Sequence, residues 1–283
     1  MSKINKCLFP VAGYGTRFLP ASKAVPKEML PILTKPLIQF GVEEAVSASI
    51  SQMVMVTSKY KSAIRLHFEP HPDIESSIKG TAKESSLDEV NQLIYQCKFS
   101  YVEQPQMFGL GHAIYTGKQL IGNEPFAVIL PDDLCYHEGD SVLRQMIALF
   151  EQHPDCCIVA IEEVSMDEVN NYGVIDGELL PETSDTYRIN TMVEKPNPDQ
   201  APTNLAIIGR YILTPEIFTV LENTKADKNG EIQITEALMT LAERDKVLAY
   251  NFKGKRYDCG SIDGFIDATN AFNKLRNGVS NLY

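Results

Sequence analysis

Apolar residues along this chain fall into short runs that alternate with stretches of helical spacing. Lys6 to Val11 is a run of strand length, and Leu37 to Ala48 then places Leu37, Ile38, Val42, Ala45 and Val46 on one helical face. Met53 to Val56, Phe99 to Val102, Phe126 to Leu130 and Cys156 to Ile161 read as further strands. Leu87 to Tyr95, Gly111 to Leu120 and Val142 to Phe150 read as helices between them. Strands that are apolar throughout are buried on both sides, so the pattern predicts an α/β protein with a mainly parallel sheet and helices on both faces.

The second half has a different texture. Tyr172 to Ile175, Tyr187 to Val193 and Leu205 to Leu213 are strand-like and separated by Gly, Pro and Asn, which suggests an additional mixed or antiparallel layer. Ile234 to Arg244 and Ile262 to Leu275 carry helical spacing. No linker, repeat or low-complexity tract divides the chain, so residues 1–283 read as a single domain. Its expected parts are an α/β core (1–165), a smaller β-rich elaboration (166–230) and a helical C-terminal part (231–283).

Composition narrows the field. The chain has 283 residues, 44% of them hydrophobic, which is ample for a core without disulfides. A net charge of −11 argues against a general nucleic-acid or membrane-surface binder, and no apolar stretch approaches a membrane span. The six cysteines are scattered without a CxxC pair, as expected of a cytoplasmic protein. His67 and His71 have the spacing of two zinc ligands on a helix, but Pro70 between them would break that helix.

Two segments at strand ends could carry chemistry. Gly13-Tyr14-Gly15-Thr16-Arg17 follows the first strand, inside an N-terminal segment that is basic and free of acids, and Pro131-Asp132-Asp133 follows Phe126 to Leu130. Ligands of open α/β sheets collect at the carboxyl ends of strands. A glycine loop lets backbone N–H groups approach phosphate, Arg adds a fork of donors, and adjacent aspartates are oxygen ligands of the kind Mg²⁺ prefers. Each signal is weak alone. The loop is neither a dinucleotide fingerprint, since Phe18 stands where a third glycine belongs, nor a P-loop, which would end in Gly-Lys-Ser/Thr.

The run Phe9 to Pro20, followed by Lys23 and by Pro26-Lys27-Glu28-Met29-Leu30-Pro31, closely resembles the signature of the sugar-1-phosphate nucleotidylyltransferases. Further matches follow in the same order: Glu103-Gln104, Gly109-Leu110-Gly111-His112-Ala113, Leu130-Pro131-Asp132, Tyr172-Gly173-Val174-Ile175, Val193-Glu194-Lys195-Pro196, Glu231 to Thr235, and Tyr257-Asp258-Cys259-Gly260-Ser261. Ser22, where Thr is usual, and Asp133, at a variable position, are small departures.

The resemblance implies a Rossmann-like three-layer nucleotidyltransferase fold and transfer of a uridylyl group from UTP to α-D-glucose 1-phosphate. Ala12, Gly13, Gly15, Thr16 and Arg17 would cradle the nucleotide phosphates, helped by Lys27, while Gln104, Gly109 and Gly111 would read uracil and ribose. Asp132 and Asp258 would hold Mg²⁺. Gly173 would let the sugar approach the backbone, Glu194 would accept from its hydroxyls and Lys195 would hold its phosphate. Arg17, Lys27, Asp132 and Lys195 would carry catalysis, with Asp133 shaping the loop and His112 doing likewise. A homodimer or homotetramer is the family's habit, with the helices from Ile234 onward as interface. Taken singly, Lys195 reads as an exposed lysine, Gly173 as a strand-end glycine, Gln104 as plain loop and Asp258 as a cap of the last helix; their joint agreement with one family outweighs this. Two alternatives stay open, a thymidylyltransferase using dTTP and a non-catalytic relative that only binds a sugar nucleotide.

Overall fold

The computed structural model describes residues 3–278; the outermost residues of the expected 1–283 domain, 1–2 and 279–283, lie outside them. Its centre is a nine-stranded sheet in the order Lys98–Glu103, Gln52–Thr57, Lys6–Pro10, Phe126–Ile129, Leu205–Leu213, Cys157–Glu163, Val247–Asn251, Thr186–Glu194, Gly173–Leu179. The first four strands are mutually parallel. Leu205–Leu213 then runs antiparallel to both of its neighbours, and only Cys157–Glu163 with Val247–Asn251 restores a parallel pair. The sheet is therefore mixed rather than mainly parallel. The expected extra layer is not separate either: Gly173–Leu179, Thr186–Glu194 and Leu205–Leu213 extend the same sheet.

Alternation along the central strands fills both faces. Cys7 and Phe9 join Met53 and Met55 in one buried cluster, into which Leu37–Ser47 packs Ile38, Val42 and Ala45 and Val142–Gln152 packs Leu143, Met146 and Phe150. Leu8 joins Val54 and Val56 in the other, covered by Ala113 and Ile114 of Gly109–Thr116, Phe218 of Glu216–Asn223, and Leu238 and Leu241 of Ile234–Ala242. Each Val, Leu, Ile, Phe or Met among them contributes about 1.5–3 kcal/mol when fully buried. A third cluster joins Leu134, Tyr257, Ala268 and Ala271 beneath the helix Ile262–Arg276.

Two features position the site. Lys6–Pro10 and Phe126–Ile129 are parallel, so the loops that leave them emerge on the same side. Beyond the second, Asp133–Tyr136 pairs with Lys255–Asp258 in a two-stranded ribbon that sets Asp133 opposite Asp258. Among the described residues no helix is long and apolar enough to cross a membrane.

Candidate active site

The glycine loop leaves the first strand through buried Val11 and Ala12, tied back by the Val11 N–H on the Val56 carbonyl at 2.8 Å. Gly15 has φ +65, and a Cβ there would stand 3.1 Å from the Cβ of Lys27, so it needs both glycine's freedom and its size. Gly13 faces open space, with nothing within 4 Å of an added Cβ. Thr16 and Arg17 follow in a short 3-10 turn, exposed, and Arg17 Nη1 reaches the Gly260 carbonyl at 3.4 Å.

Lys27 Nζ donates to Asp132 Oδ2 at 2.5 Å, joining the two loops. Burial, the largest influence on both groups, opposes their charges, yet the partners prevail: Asp132 and Glu28 raise Lys27, and Lys27 holds Asp132 below the usual carboxylate range. Behind them the buried Lys61 ammonium contacts both Glu28 oxygens at 2.7 and 2.8 Å, anchoring the residue next to Lys27.

Asp258, remote in sequence, arrives through the ribbon. A Cβ on Gly260 would lie 2.9 Å from Asp258 Oδ1 and 3.0 Å from Asp132 Oδ2, so the two carboxylates converge on one point. Asp258 does not cap the last helix; Ser261 does, accepting from the Gly264 N–H at 3.1 Å. Asp258 Oδ1 instead accepts from the Gly260 N–H at 2.9 Å, and Tyr172 donates to Oδ2 at 3.4 Å. The donor set suits a small, hard cation such as Mg²⁺, which takes one or two carboxylates and leaves its other positions to water and phosphate. Among the described residues no cluster of three acidic, His or Cys side chains offers a rival metal site.

Asp133 does more than shape the loop. Arg256 Nη1 donates to its Oδ1 at 2.6 Å, and the Gly209 N–H donates to Oδ2 at 2.8 Å. Arg256 also donates to Glu162 and, at 3.0 Å, to the Tyr172 hydroxyl. This buried guanidinium thereby offsets two acids behind the Asp132–Asp258 pair, although burial still pushes Asp133 up. Arg210, only 1% exposed, forks onto Glu44 and reaches the Leu130 carbonyl at 3.2 Å, fixing the base of the Asp132 loop. Sequence reasoning missed Arg256, Arg210 and the Glu28–Lys61 pair. Only Arg210 carried a signal, a charged residue inside the apolar run Leu205–Leu213.

Arg17, Asp132, Gly173, Glu194, Lys195 and Asp258 all line one cavity of about 300 Å³, at the small end of ligand sites. Glu194 and Lys195 also border an adjoining hollow of about 760 Å³. Glu194 Oε2 accepts from Thr235 at 2.9 Å, and Gly173 is a glycine because a Cβ would come within 2.7 Å of Thr235. Lys195 sits at φ +46 just before Pro196, a strained conformation of the kind stored at functional sites. Gln104, Gly109 and Gly111 lie outside this cavity. Gln104 is buried, and Gly109 and Gly111 are glycines because residues 231–232 cross within about 3 Å of where their Cβ atoms would stand. Gly111 offers no free N–H, since it donates to the Ile232 carbonyl at 2.9 Å.

A glycine loop facing two convergent aspartates at the strand ends of a mixed α/β sheet is the working layout of a nucleotidyl transferase. The chain matches that family over residues 10–274 and belongs to it. The UTP–glucose-1-phosphate uridylyltransferase of Pseudomonas aeruginosa is 58% identical over 268 residues, covering 94% of this chain and 95% of that protein. Among solved structures, apo UDP-glucose pyrophosphorylase superposes with a TM-score of 0.93 at 58% identity, covering 97% of this chain and 100% of the other. A UDP-glucose pyrophosphorylase complexed with UDP-glucose superposes at 0.89 with 56% identity, covering 97% and 100%.

Proposed function

We propose that this chain transfers the uridylyl group of UTP to α-D-glucose 1-phosphate, giving UDP-glucose and pyrophosphate. The observation that carries this is the cavity that joins Arg17, Lys195 and the Asp132–Asp258 pair, in a chain 58% identical to an enzyme of that name. An oxygen of the sugar phosphate attacks the α-phosphorus of UTP in line, and the bond from that phosphorus to the bridging oxygen of pyrophosphate breaks. The nucleophile is already ionised at neutral pH, so the reaction needs no general base. What it needs is positioning and neutralisation of two polyanions.

Arg17 and the backbone of Ala12, Gly13, Gly15 and Thr16 hold the nucleotide phosphates, and Lys27 keeps Asp132 ionised and aimed. Lys195 holds the sugar phosphate, and Glu194, steadied by Thr235, accepts from sugar hydroxyls. Gln104 reads the base, with the Gly109–Gly111 turn beside the ribose. The family generally uses a divalent cation; taken as Mg²⁺ on Asp132 and Asp258, it would lower the repulsion between the two phosphates. The layering is Rossmann-like, with 1–165 as nucleotide core, 166–230 as sugar-binding elaboration and 231–283 as oligomer interface. We place the enzyme in the cytoplasm as a homodimer or homotetramer.

The test is release of pyrophosphate from UTP, dTTP and other nucleoside triphosphates, with and without glucose 1-phosphate. UTP with the sugar phosphate should be fastest. Equal or faster use of dTTP would favour a thymidylyltransferase, and binding without turnover a regulatory protein.

A further inference from the structure

Gln104 stands where the strand Lys98–Glu103 ends, its N–H on the Thr57 carbonyl at 2.8 Å and its side chain buried. Its side-chain amide faces two acceptors. The nitrogen Nε2 lies 2.8 Å from His112 Nδ1 and 3.5 Å from the Gly109 carbonyl. Turning the amide over would set its oxygen against the Gly109 oxygen, so the Gly109 carbonyl selects Nε2 for this side when the imidazole accepts at Nδ1. Both amide hydrogens are directed at protein, and among the described residues no donor reaches the carbonyl Oε1. A side chain that could in general offer a donor and an acceptor is left with an acceptor alone.

This orientation requires an imidazole whose Nδ1 carries a lone pair. Burial draws the His112 ring below the usual histidine range, against an opposing pull from the Gln106 carbonyl, and so favours the neutral ring that can carry that lone pair. The edge of Phe108, 5.4 Å away between ring centres, holds it in place.

We infer that His112 is a positioning residue for base choice: it locks the Gln104 amide so that only a carbonyl oxygen is offered to the nucleotide, which selects uracil over cytosine. Uracil carries an N3–H donor between two carbonyl acceptors, and a fixed oxygen accepts from it. Cytosine has a lone pair at N3, which the same oxygen repels. An unlocked glutamine could rotate and serve either base. Thymine shares the uracil edge, so this device does not separate UTP from dTTP. The inference rests on Gln104 being the base reader.

The experiment compares kcat/KM for UTP and for CTP, each with glucose 1-phosphate, in the intact enzyme and in His112→Leu, His112→Asn and Gln104→Ala. His112→Leu should lower the UTP-over-CTP ratio about tenfold or more, with the KM for glucose 1-phosphate unchanged. His112→Asn, whose amide oxygen can replace Nδ1 as acceptor, should recover most of the ratio. Gln104→Ala should lose it as well. If Gln104→Ala loses the ratio while folded His112→Leu keeps it, the inference about His112 fails and the base reader stands. If Gln104→Ala keeps the ratio, the base is read elsewhere and both fail. Should His112→Leu not fold, two-bond proton–nitrogen NMR correlations of the wild-type imidazole decide: the Nε2–H tautomer supports the lock, and an Nδ1–H tautomer overturns it.

Discussion

Lys195 combines two properties that seldom coincide without a reason, a long cationic side chain and a left-handed backbone at φ +46. Its amide is pinned to the Tyr172 carbonyl at 2.9 Å, and its ammonium is 3.7 Å from Glu194. Removing the charge in Lys195→Ala should raise the KM for glucose 1-phosphate and lower turnover, a loss of roughly 1.5–3 kcal/mol for a charged contact, with UTP affinity little changed. Steady-state kinetics with calorimetry of each substrate checks this, and a collapse of UTP affinity alone would reverse the assignment. The backbone gives an independent handle. Lys195→Gly should lose the same function yet be more stable than Lys195→Ala by about 1 kcal/mol in denaturant unfolding, because glycine adopts positive φ without a Cβ clash.

Among the elements, the helix Ile262–Arg276 and the ribbon before it separate structural from chemical roles. Ser261 caps the helix and Asp258 faces the cavity, although only two residues lie between them. Ser261→Ala should therefore cost about 0.5–2 kcal/mol of stability with near-normal turnover. Asp258→Asn should melt close to wild type and lose turnover; thermal melts beside Mg²⁺-dependent rates distinguish the two. The Glu28–Lys61 pair poses a different question. Burial is the largest influence on each, raising Glu28 and lowering Lys61 despite their contact. A carboxylate raised above its unfolded value contributes stability below that unfolded value and loses it as pH rises through the folded one. The raised Glu28 thus adds no stability at neutral pH, and what the pair supplies there is a fixed anchor beside Lys27. Glu28→Gln alone should cost about 3–5 kcal/mol, whereas Glu28→Met with Lys61→Met should be far milder in denaturant melts while still impairing turnover.

At the scale of the molecule, the mixed sheet brings together loops from both halves of the chain, and Arg256 ties them from below. Because it serves Asp133, Glu162 and Tyr172 at once, Arg256→Ala should leave two acids without their counter-charge and cost about 3–5 kcal/mol, read as a large fall in melting temperature. Hydrophobic periodicity made most of the fold legible. The expected helix from Leu37 ends one residue from its observed end, and Leu205–Leu213 has its expected bounds. Periodicity carries no strand order, however, so the expected mixed or antiparallel layer gave no sign that Leu205–Leu213 stands at the centre of the main sheet. Lys255–Asp258 was missed because a four-residue, largely polar strand has no apolar run to announce it. The candidate site was legible as motifs, and the meeting of Asp132 with Asp258 was expected from the family resemblance alone, since no residue pattern announces the ribbon pairing Asp133 with Asp258. Gln104 shows the same limit: its residue type allows a donor or an acceptor, and only the His112 and Gly109 contacts decide which.

The central claim is that Asp132 and Asp258 act together on the two phosphates rather than merely lining a loop. The most direct test is Mg²⁺-dependent formation of UDP-glucose by Asp132→Asn, with its fold verified by circular dichroism and thermal melting. The substitution keeps shape and removes one charge from the Lys27 contact and the shared cation position. Turnover should fall by several orders of magnitude in a folded protein. Full activity in that folded variant would contradict the metal assignment and most of the mechanism built on it.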